Sequence, residues 1–271
     1  VGPVTQRHRC SLAQLFTPRG LQVDVFVSHA GMHPYRDLLE RLGEFTQCFV
    51  DEGVTDRSDP GDVSLWISPF SLNQYRINEL VRGSTPLSRS PFALALEQAR
   101  CCLLVLDGEA TASTRLWVIF ELLQAERTGK LIECAAKDLN AVPEALLNIS
   151  IKDAAALHVE DRIKIHEEVQ EFHDPVYGSG HAGADAVVRD AIRGMLLRCF
   201  ARAEHCGILP PALLSGMSSE SKAVATTHQV AELAAFYGNA ELLRLCVDAR
   251  ATDVHTVRHP RADADQGAAA E

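Results

Sequence analysis

Trp117 and Glu121 stand four residues apart in the segment CCLLVLDGEATASTRLWVIFELLQAE, residues 101–126. That spacing puts an indole and a carboxylate on one face of a helix. An acid so placed suits chemistry that needs a single carboxylate, provided the chain brings it to an edge a ligand can reach. The same segment supplies such an edge. Cys101–Leu106 is an apolar run long enough for a strand buried on both faces, Asp107 and Gly108 stop it, and Thr114 is positioned to cap the following helix. Leu116, Ile119, Phe120 and Leu123 form the neighbouring stripe that packs on the sheet. Strand–loop–helix units of this kind build parallel α/β sheets, whose ligands collect outside the carboxyl ends of the strands.

Other residues could join Glu121 there. Ser28 and His29 end the run Val23–Ser28. Backbone N–H groups after that strand could cradle a phosphate, while a turn in which Ser28 bonds local backbone is the simpler reading. Arg115, at the helix start, could meet a ligand phosphate or carboxylate, or face solvent. Trp66 and Trp117 could stack on a planar ring or serve as core. His166, His173 and His181 follow no HExxH arrangement, and no metal site is expected. Neither a Gly-rich phosphate loop nor a GxSxG elbow is present.

The elements that must carry these residues alternate along the chain. After a lead-in over residues 1–20, strands are expected at Val23–Ser28, Val63–Ile67, Cys101–Leu106, Lys130–Ala135 and, short, Leu146–Ile151. Helices are expected at Tyr35–Phe45 and Phe92–Arg100, with polar loops at 51–62 and 82–91. Beyond residue 152 the pattern is helical: Asp161–Phe172, a flexible loop over Asp174–Gly183, and an amphipathic helix over Ala184–Ala203. This predicts an α/β domain over 21–203 with a five-stranded, parallel, doubly wound sheet and a C-terminal helical extension. A linker at 204–224, a helix pair at 225–258 and a disordered tail at 259–271 complete the reading.

Hydrophobic residues make up 46% of the 271-residue chain, which excludes a mainly disordered protein. The net charge of −10, with no Lys/Arg cluster, argues against nucleic acid and anionic membrane as partners. No apolar run approaches a membrane span and no signal-peptide pattern is present. The 8 cysteines show no CxxC pair and lie mostly in apolar runs, as expected of reduced, buried thiols in a cytoplasmic protein. A chain opening on Val1 reads as a fragment or an incomplete gene.

Three stretches in order resemble the Toll/interleukin receptor (TIR) domain, in the divergent form shared with fungal heterokaryon-incompatibility domains. Residues 24–30 (DVFVSHA) match its opening strand and loop, usually written DVFISHA. Residues 65–74 (LWISPFSLNQ) are similar to the second strand of that group, approximately YWIDxFAVNQ. Residues 114–122 (TRLWVIFEL) resemble its TRxWCxxEL helix, with Trp-xxx-Glu kept at Trp117 and Glu121. The chain departs from the pattern at Ser68, where the group has Asp, and at Val118, where it has Cys. Residues 234–243 (AAFYGNAELL) are similar to the core of one ankyrin repeat, with Gly238 at the turn between two helices.

The resemblance implies a flavodoxin-like sheet and a signalling or scaffold module that binds protein partners through its TIR-like and ankyrin-like surfaces, with a homo-oligomer possible. No cofactor is required. It also implies an alternative, NAD hydrolysis with Glu121 as the catalytic carboxylate and NAD as substrate. Ser28, His29, Trp66, Arg115 and Trp117 would then be the residues around the ligand. One carboxylate suffices for that reaction. Nicotinamide leaves from a cationic ring without general-acid help, and the remaining task is to stabilise an oxocarbenium-like ribosyl centre.

Overall fold

The computed structural model describes residues 2–31, 34–82, 86–107, 110–136 and 146–202, together with 230–235, 239–240, 242–244 and 246. The chain divides into two compact units, 1–195 and 196–271.

The first unit is organised on a four-stranded parallel sheet. Its strands are β1 (Val25–His29), β2 (Leu65–Ile67), β3 (Cys101–Leu106) and β4 (Leu131–Ala136), in the order β2-β1-β3-β4. Register is set by pairs such as Phe26 with Trp66 and with Cys102, and Leu103 with Glu133. Every residue of β3 is buried, as its unbroken apolar run requires. Alternate side chains divide between the two faces. Val25, Val27, Cys101, Leu103 and Val105 pack with Leu38, Leu42 and Phe49 of the helix Tyr35–Asp51. The buried side chains of Phe26, Cys102 and Leu104 belong to the opposite set.

Three short helices come early in the unit: α1 (Gly2–Thr5), α2 (Leu12–Phe16) and, after α3 (Tyr35–Asp51), α4 (Ser68–Ser71). α2 is closed by a reciprocal capping box between Ser11 and Gln14. The longer helices are α5 (Pro91–Gln98), α6 (Leu116–Arg127), α7 (Val159–Gln170) and α8 (Gly180–Arg202). None of the described helices is long and apolar enough to cross a membrane.

Three expectations need correction. Leu146–Ile151 is not a fifth strand: residues 146–147 are helical, and the groups a ladder would use go elsewhere. The Ile151 N–H donates to Asp185 Oδ1 at 2.8 Å, and the Ile149 carbonyl accepts from Arg189 Nε at 3.0 Å. Side chains of α8 thus satisfy this backbone in place of a neighbouring strand.

Thr114 does not cap α6. Its hydroxyl donates to Thr111 O, and Arg115 occupies the N-cap without a side-chain bond. An isolated parallel bridge does the work instead, with Leu116 N–H donating to Ala155 O at 2.9 Å and Ala155 N–H to Thr114 O at 2.8 Å. Finally, Asp174–Gly183 is an ordered ribbon, not a flexible loop. β5 (His173–Asp174) pairs antiparallel with β6 (Gly178–Ser179), Asp174 Oδ1 accepts the N–H groups of Val176 and Tyr177, and α8 begins at Gly180.

No cysteine among the described residues forms a disulfide; Cys101, Cys102, Cys199 and Cys246 are buried and Cys48 is exposed. In the second unit residues 230–235 are helical, and Asn239 starts a further helical stretch by accepting the Leu242 N–H on Oδ1 at 3.1 Å. Its Nδ2 donates to Phe200 O at 3.1 Å. The ankyrin-like reading of 234–243 depends on residues 236–238 and 241, which lie outside the described residues, as do the linker 204–224 and the tail 259–271.

Candidate functional site

The carboxyl ends of β1 and β2 form the floor of a cleft of about 210 Å³. Val27, His29 and Trp66 come from these strands, and Ser68, Pro69 and Leu72 from the turn that follows β2. Ile77 and Val81 form one wall, on and beside a π-helical stretch, Asn78–Arg82. Such stretches are uncommon and recur at functional sites. Phe92 of α5, Trp117, Val118 and Glu121 of α6, and Asp161 of α7 complete the lining. This is the edge at which parallel sheets of this order bind ligands.

Glu121 sits at the inner end. Its Oε2 accepts a hydrogen bond from Ser28 Oγ at 2.5 Å, and Ser28 is itself 1% exposed. The simpler expectation for Ser28, a bond to local backbone, is therefore wrong. Ser28 alternates with Val25 and Val27 along β1, so it shares the face of Phe26 and meets α6 there. Burial pushes Glu121 up to about 7, and the Ser28 hydroxyl opposes this only in part. Beneath it, burial holds the Cys102 thiol well above its ordinary value, and the nearby Glu121 charge adds to the effect.

Ser28→Ala removes the donor that favours the ionised form, so the Glu121 midpoint should move higher still. Carboxyl-stretch infrared titration of the two proteins reads this directly; an unchanged midpoint would mean that the hydroxyl does not tune the acid.

The two indoles differ in how they are held. Trp66 stacks on Phe26 with ring centroids 4.7 Å apart and planes at 12°. Trp117 stands edge-on to Phe92 at 4.9 Å, and its Nε1 donates to Asp161 Oδ2 at 3.0 Å. α7, which carries Asp161, is tied to the cleft wall by Lys164 Nζ donating to Val81 O at 2.9 Å. His29 lines the entrance, where its Nδ1 accepts the Gly31 N–H at 3.0 Å.

The structure thus gathers Glu121, Ser28, His29, Trp66 and Trp117 at one place. Arg115 is not among the cleft residues; it takes the N-cap of α6. Asp161, Phe92, Ile77 and Val81 were missed in the sequence. A buried indole N–H calls for an acceptor, but nothing in the sequence says that the acceptor lies 44 residues further on. Away from the cleft, His166 Nδ1 and His181 Nε2 meet at 2.7 Å. Among the described residues no three His, Cys, Asp or Glu side chains gather into a metal-binding group. Comparison of the chain with protein-family models, curated proteins and solved structures finds no match.

Proposed function

We propose that this cleft binds a nicotinamide dinucleotide and cleaves its N-glycosidic bond, with Glu121 as the carboxylate that faces the ribosyl centre. The observation that carries the reading is the position of Glu121. It is a half-buried carboxyl, oriented by Ser28, opening onto a cleft with two indoles at the carboxyl edge of the sheet. The C1′–N bond breaks with its electron pair going to the ring nitrogen, so nicotinamide leaves neutral. The ribosyl carbon takes the positive charge, which an ionised Glu121 stabilises until water adds and loses a proton. Trp66 and Trp117 supply flat apolar surfaces for the ring. The TIR-like motifs at residues 24–30, 65–74 and 114–122 support the same reading, and Ser68 in the cleft is its main departure from them.

The test is nicotinamide release from NAD by the full chain, assayed over a range of protein concentration because a site of this kind can require assembly. No release from a sample shown to be assembled would remove the enzyme.

A second reading has its own observation. Leu157, Val159 and Ile163 are 73%, 70% and 54% exposed, and Val159 and Ile163 lie one turn apart on α7. Such an apolar row suits a signalling or scaffold module that binds proteins. Sedimentation of the concentrated chain should then show self-association, or a pull-down should yield a partner, and Val159→Glu should weaken either. A strictly monomeric chain that captures nothing would end that reading.

A further inference from the structure

The cleft is small for a dinucleotide. Pockets that enclose a drug-sized ligand run to about 300–1,000 Å³, and a dinucleotide is larger than most such ligands. The space here is about 210 Å³, so only part of that molecule fits inside. Its walls are held against widening. Trp66 stacks on the buried Phe26, and Trp117 is fixed by Phe92 and by its bond to Asp161. Lys164 of α7 donates to Val81 O on the facing wall. A larger ligand would have to break these contacts to enter.

What lies outside the cleft has little to hold it. The net charge of −10 gives no long-range attraction to a diphosphate. Among the described residues the lining includes no lysine or arginine, and Arg115 at the start of α6 is not part of it.

We infer that recognition ends at the ribose: the cleft takes the ribosylpyridinium half of its substrate, and the 5′ substituent stays in solvent. This rests on the reading that Glu121 serves N-glycosidic cleavage. With C1′ at Glu121, the base and its ribose fill the cleft, and the chain beyond C5′ leaves past His29 and Gly31. The substrate class is therefore nicotinamide nucleosides whatever their 5′ group: the riboside, the mononucleotide and NAD. The step is the same for all three. The C1′–N bond breaks with its electron pair going to the ring nitrogen, and a C1′–O bond forms to water, which loses a proton. The products are nicotinamide and ribose, ribose 5-phosphate or ADP-ribose. A 5′ group that makes no contact in either state changes neither KM nor kcat.

The experiment compares nicotinamide release by the full chain from the three substrates, at about 0.15 M salt to screen their different charges. AMP, the half of NAD left outside, is added as a competitor. The three kcat/KM values are expected within about threefold of one another, with release unaffected by AMP. A spread of about tenfold or more, or inhibition by AMP, would overturn the inference and leave the hydrolase reading standing.

Binding is read separately. The chain has 2 tryptophans, Trp66 and Trp117, and both line the cleft, so quenching of their fluorescence reports on that site. The riboside and NAD should give Kd values within about threefold of each other, again indifferent to AMP. A chain that binds both equally and releases nicotinamide from neither loses the hydrolase reading and keeps the cleft's limit at the ribose. Tighter binding of NAD by about tenfold, or quenching by neither ligand, would overturn the inference.

Discussion

Glu121→Gln should sharply slow nicotinamide release and, above neutral pH, yield a more stable protein. Gln keeps the shape and still accepts from Ser28 Oγ, so the variant isolates the charge. A preorganised charge opposite a developing cation is worth several kcal/mol, which makes the expected loss in kcat about a hundredfold or more. Equal release by both proteins would take Glu121 out of the mechanism.

The pH profile follows from the position of the carboxyl near 7. Only the ionised form stabilises the ribosyl centre, so kcat/KM should rise with pH through about 7 and then level off. A bound cationic ring favours the ionised form, so the midpoint in kcat should lie lower than in kcat/KM.

Stability runs the other way. The folded-state value lies above the ordinary 4.5, so the folded protein holds a proton that the unfolded chain releases between those two values. This contribution is fully present below about 4.5 and is lost as pH rises through about 7, amounting to roughly 3 kcal/mol. Urea unfolding of native and Glu121→Gln proteins at pH 5 and pH 8 should therefore show a difference that grows in favour of the variant. The same difference at both values would mean that the carboxyl titrates normally.

The second large effect is expected at the other end of the sheet. Asp24 precedes β1, is 1% exposed, and accepts at Oδ2 from the Ser64 N–H at 3.0 Å, the Ser64 hydroxyl at 3.0 Å and Arg57 Nε at 3.3 Å. Arg100 Nε lies 3.7 Å from Oδ1, and its Nη2 donates to Asp56 at 2.5 Å. The carboxylate thus joins the starts of β1, β2 and β3 at one point.

Asp24→Ala leaves the Ser64 N–H without its side-chain acceptor and both guanidinium groups without their shared anion. Because Arg57 and Arg100 can still reach water, the expected loss is about 2–4 kcal/mol, below that for a fully buried pair. In a unit of this size that lowers Tm by roughly 5–12 °C. Asp24→Asn, which keeps an acceptor oxygen, should lose less. Thermal unfolding followed by circular dichroism reads both; a shift within 1–2 °C for Asp24→Ala would show that the cluster is spectator surface.

The motif over residues 24–30 therefore serves both ends of one strand. Asp24 is structural, whereas Ser28 holds Glu121 and His29 lines the cleft. Sequence reading found the strand and its exit because burial on both faces writes a continuous apolar run and a turn ends it. It could not separate those two roles, because the pattern records spacing along the chain and not which end of the sheet faces a ligand. The fifth strand failed for a related reason. Leu146, Ile149 and Ile151 are buried, as their types suggest, but Asp185 and Arg189 of a later helix take the backbone groups that a ladder would have used.

The sequence by itself determined the parallel alternation of strands and helices, the fully buried β3, and the shared helix face of Trp117 and Glu121. Each of these is local: it follows from the period of a strand or a helix and from the cost of exposing an apolar run. Only the tertiary structure decided that Ser28 donates to Glu121 across 93 residues and that Asp161 closes on Trp117 across 44. The packing of α6 on the sheet likewise drives the carboxyl toward neutrality. Those pairings depend on the helices crossing the sheet at particular heights. That height comes from the whole core and from the Arg115–Ala155 bridge, neither of which has a signature within the segments they join.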